Sequence, residues 1–280
     1  VQSSLVPKVG KTLKISVRHV STGFRVKACF PNGLPVHDTI ARTSALDPSE
    51  FQQRFVHWAK SVNKRTGSEL ITIDGKTLRG SYERENRRSA IHMVSAFAVD
   101  SKVVMGQLKT EAKSNEIKAI PALLCLLDIN GCLVSIYAMG CQTKVAEAII
   151  NRGGDYLLAV IDNQALLHRA VQRELRPIHN AETSPENVTI EHGHGRTEAR
   201  KYHVLPADAL LDRFPEWTDI KTLGKTLGVA ISYRQDKSGK SSLEYRYYIS
   251  SAELNTVHFP AVIRGHWAME NNLHWVRTFP

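Results

Sequence analysis

The chain has 280 residues, of which 42% are hydrophobic, and its 37 lysines and arginines against 27 aspartates and glutamates give a formal net charge of +10. These values exclude a disordered tail, a collagen-like fibre and a bundle of membrane helices, since the longest apolar stretch, 120–127, is far short of the roughly 20 residues a spanning helix needs. The basic balance points to an acidic partner, nucleic acid being the commonest, and four cysteines without a charged-then-apolar leader point to a soluble protein in a reducing cytoplasm.

Residues 1–23 show no period and read as an irregular arm starting at Val1 rather than Met, as a fragment would. From Asn32 the pattern turns helical: Asp38 or Thr39 can cap one helix and Asp47-Pro48 opens the next. Phe51, Phe55, Trp58 and Val62 then fall on one helical face. After Gly67 come strands at 69–74, 91–100 and 103–110, the last two joined by the turn Asp100-Ser101-Lys102. Pro121 is expected in the first turn of a helix that Asn130-Gly131 stops, with Cys125 and Cys132 in the core. A strand at 132–137, a helix from about Thr143 to Asn151, a strand at 155–160 and a basic helix at 165–176 follow. β-like segments near 188–204, 225–235 and 243–250 precede a last helix at about 257–275. The order is α/β, with an antiparallel lead-in and a parallel continuation.

Asp74 stands at the C-terminal end of the first strand, where α/β sheets place their sites, although a strand-end capping role fits the same position. His266 and Glu270 are i,i+4 neighbours on the last helix, a spacing shared by metal ligands and ordinary surface pairs. Cys29, Cys125, Cys132 and Cys141, with His192, His194 and His203, lack the short paired spacing of a zinc site. DGKT lacks the upstream glycine of a phosphate loop. On a strand, Arg196, Glu198 and Arg200 point one way and Thr197, Ala199 and Lys201 the other. Such a face could follow a phosphate backbone or serve as a solvated edge.

IDGKTLRGS at 73–81, SAIHMVSAFA at 89–98, KSNEIKAIPALLCLLDINGC at 113–132, AMGCQ at 138–142 and GGDYLLAV at 153–160 form a pattern. HGHGRTEARKY at 192–202, RYYISS at 246–251 and RGHWAMENNLHW at 264–275 continue it. Together, in this order, they resemble the bacterial insertion-sequence transposases of the DDE class, in the group that includes the H-repeat-associated proteins. The resemblance runs from about Pro31 to Trp275. It implies an RNase H-like mixed sheet flanked by helices at 67–280, with a β-rich insertion at about 180–250, preceded at 1–66 by the arm and a small helical region. It also implies two aspartates and a glutamate holding two Mg²⁺ or Mn²⁺ ions, which stabilise the attacking and leaving oxygens as a DNA strand is cut and joined.

Asp74 matches the first aspartate of the family and Glu270 its glutamate, so these two are the expected metal ligands. The second aspartate should stand just before AMGCQ, where this chain has Tyr137. A phenol is neutral at pH 7 and a poor Mg²⁺ ligand. Asp128 lies at the wrong end of that strand, and Asp162 is the remaining rescue candidate. Ile161 replaces the family's Lys before Asn163-Gln164, and the chain stops at VRTFP where the family continues. The expectation is a transposase acting on double-stranded element ends and target DNA, impaired in this copy, bacterial and nucleoid-associated, with a homodimer as the assembly considered. Arg196, Arg200, Lys201 and Arg264 are the expected phosphate contacts, Asn163 and Gln164 line the site, and Trp267 is expected to be core rather than a base-stacking residue. The rivals are a non-catalytic DNA-binding remnant and an unrelated metal-dependent nuclease.

Overall fold

In this computed structural model the described residues are 38, 42, 47–62, 69–77, 92–110, 116–176, 188–193, 196–232 and 241–269. The chain divides into two units, Val1–Phe55 and Val56–Pro280. Helix α1 (Pro48–Val62) begins in the first unit, where Asp47 caps it by accepting the Glu50 N–H at 3.3 Å and Glu50 pairs with Arg54 at 2.8 Å. The expected Phe/Trp stripe is not the buried one. Phe51 and Trp58 are 53% and 52% exposed, whereas Val56, the first residue of the second unit, is buried and lies near Gly106 of that same unit.

The second unit contains β1 (Leu70–Thr77), β2 (His92–Ala98), β3 (Val103–Thr110), α2 (Glu116–Leu126), β4 (Leu133–Ile136), α3 (Thr143–Ile150) and β5 (Asp155–Val160). It continues with α4 (Ala165–Leu175), β6 (Val188–Gly193), β7 (Arg196–Pro206), α5 (Asp208–Leu211), β8 (Thr222–Ser232), β9 (Ser241–Ser250) and α6 (His258–Met269). All the strands join one nine-stranded sheet in the order β3-β2-β1-β4-β5-β9-β8-β7-β6. β1, β4 and β5 are parallel, while β2, β3 and β6–β9 pair antiparallel.

Strand alternation divides the core. Ile71, Ile73, Val134, Ile136, Leu158 and Val160 face α2, α3 and α4, which supply Leu123, Ile149 and Val171 to the same cluster. Leu157, Ala159, Tyr202 and Tyr248 face the other way and pack on Phe259 and Ile263 of α6. The central parallel strands are therefore buried on both faces, which is why 155–160 reads as a continuous apolar run.

Some boundaries differ from the sequence reading. β1 continues through Gly75-Lys76-Thr77, because those residues pair with Val94, Met93 and His92. Pro121 sits inside α2 rather than in its first turn, the helix being described from Glu116. Cys125 is exposed instead of core, because the buried face of α2 is set by Glu116, Ile120, Leu123 and Leu124. Cys132 and Cys141 are buried as free thiols, and burial pushes the Cys141 thiol up to about 12. No helix among the described residues is long and apolar enough to cross a membrane.

Lys225 of β8 is 1% exposed and donates to the Leu175 carbonyl at 3.1 Å, at the C-terminal end of α4, where the helix dipole favours a cation. Burial, then the neighbouring Lys201 charge, lowers its pKa from 10.5. Between the lowered folded value and the ordinary unfolded one, the unfolded chain binds the extra proton, so stability rises with pH across that window. Lys225→Met is expected to flatten this rise, as read from thermal midpoints measured at increasing pH up to the ordinary lysine value.

Candidate active site

The site is built where β1 and β4 run side by side. Their parallel pairing ends at Ile73 opposite Ile136, so the next residues, Asp74 and Tyr137, stand at the same level. Asp74 pairs with Ser95 of β2, and Ser95 with Gln107 of β3. Gln107, Ser95, Asp74 and Tyr137 therefore form one polar row across four strands, and alternation turns it away from Ile73 and Ile136. Ser95 Oγ is buried in this row and has no hydrogen-bond partner among the described residues.

The wall beside Tyr137 comes from α6. One row below, Ser135 Oγ shares a 2.9 Å hydrogen bond with Nδ1 of the buried His266. The His266 ring lies edge-on to Tyr137 with centroids 4.4 Å apart, and the Trp267 ring lies at 5.9 Å. Ser135, Tyr137, Ala159, Tyr248, His266 and Trp267 are among the residues lining a small, partly open cleft.

Arg246 of β9 closes the arrangement. Its Nη1 donates to the Tyr137 hydroxyl, and its guanidinium lies 4.8 Å from the Trp267 ring centroid and 5.6 Å from that of Tyr137. Nε and Nη2 donate to the two Glu244 carboxylate oxygens at 2.8 and 3.1 Å. Burial opposes its charge, but the Glu244 hydrogen bond and the nearby Tyr137 and Tyr248 hydroxyls outweigh that and hold its pKa above the ordinary arginine value. The sequence reading missed Arg246. Its one local signal is Glu244 two residues before it, on the same strand face.

These residues do not fit a two-ion centre as they stand. Among the described residues, no group of three or more His, Cys, Asp or Glu side chains could hold a metal ion. Beside the Asp74 carboxylate, the adjoining position carries a neutral phenol under a guanidinium, a cation where the family's chemistry would put one. Glu270 lies outside the described residues, which end on α6 at Met269.

The other expected site residues disperse. Asp162 has its side chain 98% exposed and meets His168 of α4 at 3.1 Å, on the face opposite α6, so it does not replace the missing carboxylate. Gln164 Nε2 donates to the Cys141 carbonyl at 3.0 Å, pinning the β5–α4 junction to the turn after β4, and Asn163 is exposed beside it. Arg200 is matched by Glu191 at 2.8 Å and by Glu198, and lies 5.8 Å from the Trp267 ring centroid. Lys201 points to the opposite face, and Arg264 is exposed on α6. The backbone of Arg196 opens β7, and its side chain lies outside the described residues. Trp267 is half-buried against Tyr137 and two arginines. His192 bonds Thr197 at 2.8 Å and His203 is buried, while His194 and Cys29 lie outside the described residues.

Known proteins share this pattern. "H repeat-associated putative transposase YhhI" of Escherichia coli (strain K12) is 44% identical over 253 residues, covering 88% of this chain and 66% of that protein. "Putative transposase YncI" of Escherichia coli O157:H7 is 45% identical over 261 residues, covering 88% and 64%. A protein from the dhlA 3′ region of Xanthobacter autotrophicus is 36% identical over 224 residues, covering 79% and 73%. The chain thus spans about two thirds of the length of these Escherichia coli relatives. Residues 65–279 match the family model described as a transposase DDE domain. A match that takes in Asp74, Tyr137 and Glu270 makes this chain a member of the transposase DDE-domain family.

Proposed function

We propose that this chain is an insertion-sequence transposase copy that retains the frame and DNA affinity of the family and is impaired in strand cleavage and transfer at one position, Tyr137. The observation that carries the reading is that Asp74 and Tyr137 each follow the last β1–β4 pair, Ile73 opposite Ile136, with Arg246 on the phenol. The strand order β3-β2-β1-β4-β5, with only β1, β4 and β5 parallel, supports an RNase H-like frame. The antiparallel β6–β9 meander supports the reading of about 180–250 as an insertion within 67–280.

When bound by a complete carboxylate set, Mg²⁺ or Mn²⁺ supplies the charge that stabilises both oxygens of the phosphoryl transfer. In this chain Asp74 keeps one ligand position and Glu270 is proposed as another. Of the expected phosphate contacts, Lys201 and Arg264 carry the reading best, because the Arg200 charge is matched by two carboxylates.

The test is made on DNA carrying element ends in the Tyr137→Asp background, by adding Asp74→Asn. Nicking and joining are expected to fall to background while salt-dependent DNA binding persists. Cleavage that survives Asp74→Asn would remove Asp74 from the chemistry and with it this reading. The guanidinium seated on Tyr137 also favours a second reading, a non-catalytic DNA-binding remnant, which predicts binding and no cleavage from either Tyr137 or its Asp replacement.

A further inference from the structure

The two faces of the β6–β9 meander differ in charge. Register places Glu191, Glu198 and Glu244 on the face that carries Arg200 and Arg246, so acids and arginines stand together there. The other face carries Lys201 and Lys225 and, among the described strand residues, no carboxylate. Arg176, at the end of α4, adds to the positive field there, acting on Tyr247 of that face.

The outer part of the lysine face is also aromatic and apolar while exposed. Lys201, Leu227 and Tyr245 stand in one cross-strand row, and in the next His203 and Lys225 are buried beside Tyr247. Tyr245 is 39% exposed, and beyond it Leu243 and Ile190 are 61% and 62% exposed. His168 of α4 lies edge-on to Tyr247, with ring centroids 5.4 Å apart. Because Val160 is the last residue of β5 to pair with β9, at Tyr247, residues 241–246 of β9 extend past the end of β5 where the chain turns into Asp162.

We propose that this lysine face of the meander is a platform for single-stranded DNA, its bases stacking on Tyr245 and its phosphates lying along Lys201 and Arg176. The proposal rests on the reading that the chain acts on DNA. Flat aromatic and apolar surface with cations and no carboxylate on its described strand residues matches what unpaired bases on a polyanionic backbone require. On the arginine face Arg200 and Arg246 are paired with carboxylates and offer no such preference.

The test uses a fluorescent oligo-dT of about twenty nucleotides, long enough for a single platform, with anisotropy read in EDTA over a salt series. Tyr245→Leu, which keeps apolar bulk but not the ring, is expected to weaken binding about tenfold, and Tyr245→Phe to leave it near the unaltered value. Lys201→Gln is expected to flatten the salt dependence by about 0.7 in log–log slope. Arg200→Gln on the opposite face is expected to leave that slope unchanged. Unchanged thermal midpoints show that the variants remain folded. Equal oligo-dT binding by Tyr245→Leu, Tyr245→Phe and the unaltered chain overturns the proposal, as does a lack of oligo-dT binding. It is also overturned if the chain sediments as a dimer that Leu243→Gln dissociates without changing oligo-dT affinity, since the face then belongs to a second copy. Retained binding to duplex element ends alongside any of these results leaves the broader DNA reading standing.

Discussion

Tyr137→Asp is expected to raise Mg²⁺- or Mn²⁺-dependent nicking of element-end DNA about 10²–10³-fold over the unaltered chain, the scale on which one electrostatic group at a reacting centre acts. The substitution adds one charge and two ligating oxygens at the end of β4, level with Asp74 on β1. It also takes the phenol out from under Arg246 and away from the His266 and Trp267 rings. Glu244 still holds the guanidinium, so the backbone of β9 need not move. Tyr137→Asn is the matching control, because it removes the phenol without adding the charge. It is expected to leave nicking at the unaltered level.

The largest stability effect is expected at Phe259. This side chain is fully buried and joins α6 to the sheet, with its ring centroid 5.6 Å from Tyr248 and 6.3 Å from Tyr202. Gly224 of β8 makes room for it, since a Cβ there would stand 2.4 Å from the Phe259 ring. Phe259→Ala removes the ring that Tyr202 and Tyr248 pack against in the smaller core cluster and leaves a cavity, at a cost of about 3–5 kcal/mol. Urea unfolding is expected to show the midpoint falling with the slope unchanged. A loss well under 1 kcal/mol would mean that α6 is not anchored there. Because α6 carries His266 and Trp267, the same variant is expected to blunt any gain made by Tyr137→Asp.

Much of this architecture was legible before any coordinates. The strands 103–110 and 155–160 stand where their apolar pattern put them, and Asp47-Pro48 opens α1 as the capping pattern implied. Local rules failed where pairing or long-range packing decides. The segment IDGKT reads as a strand ending in a turn, yet β2 holds it extended to Thr77. Alternation separated Arg200 from Lys201 correctly, but it could not tell which face α6 covers or that two glutamates would match Arg200. The contact of Arg246 with Tyr137 could not be read, because the two are 109 residues apart in the chain. The position of Tyr137 itself came from the family pattern. Its place beside Asp74 follows from the β1–β4 register.

The central claim is that a carboxylate at position 137, beside Asp74, is what separates this chain from a metal-holding one. Calorimetric titration with Mn²⁺ of the unaltered chain, Tyr137→Asp, and Tyr137→Asp combined with Asp74→Asn tests it without relying on any DNA substrate. The account predicts a saturable Mn²⁺ site in Tyr137→Asp that is absent from the unaltered chain and lost again when Asp74 is also replaced. Equal Mn²⁺ binding by the unaltered chain and Tyr137→Asp would contradict it, because the metal would then be held without that carboxylate.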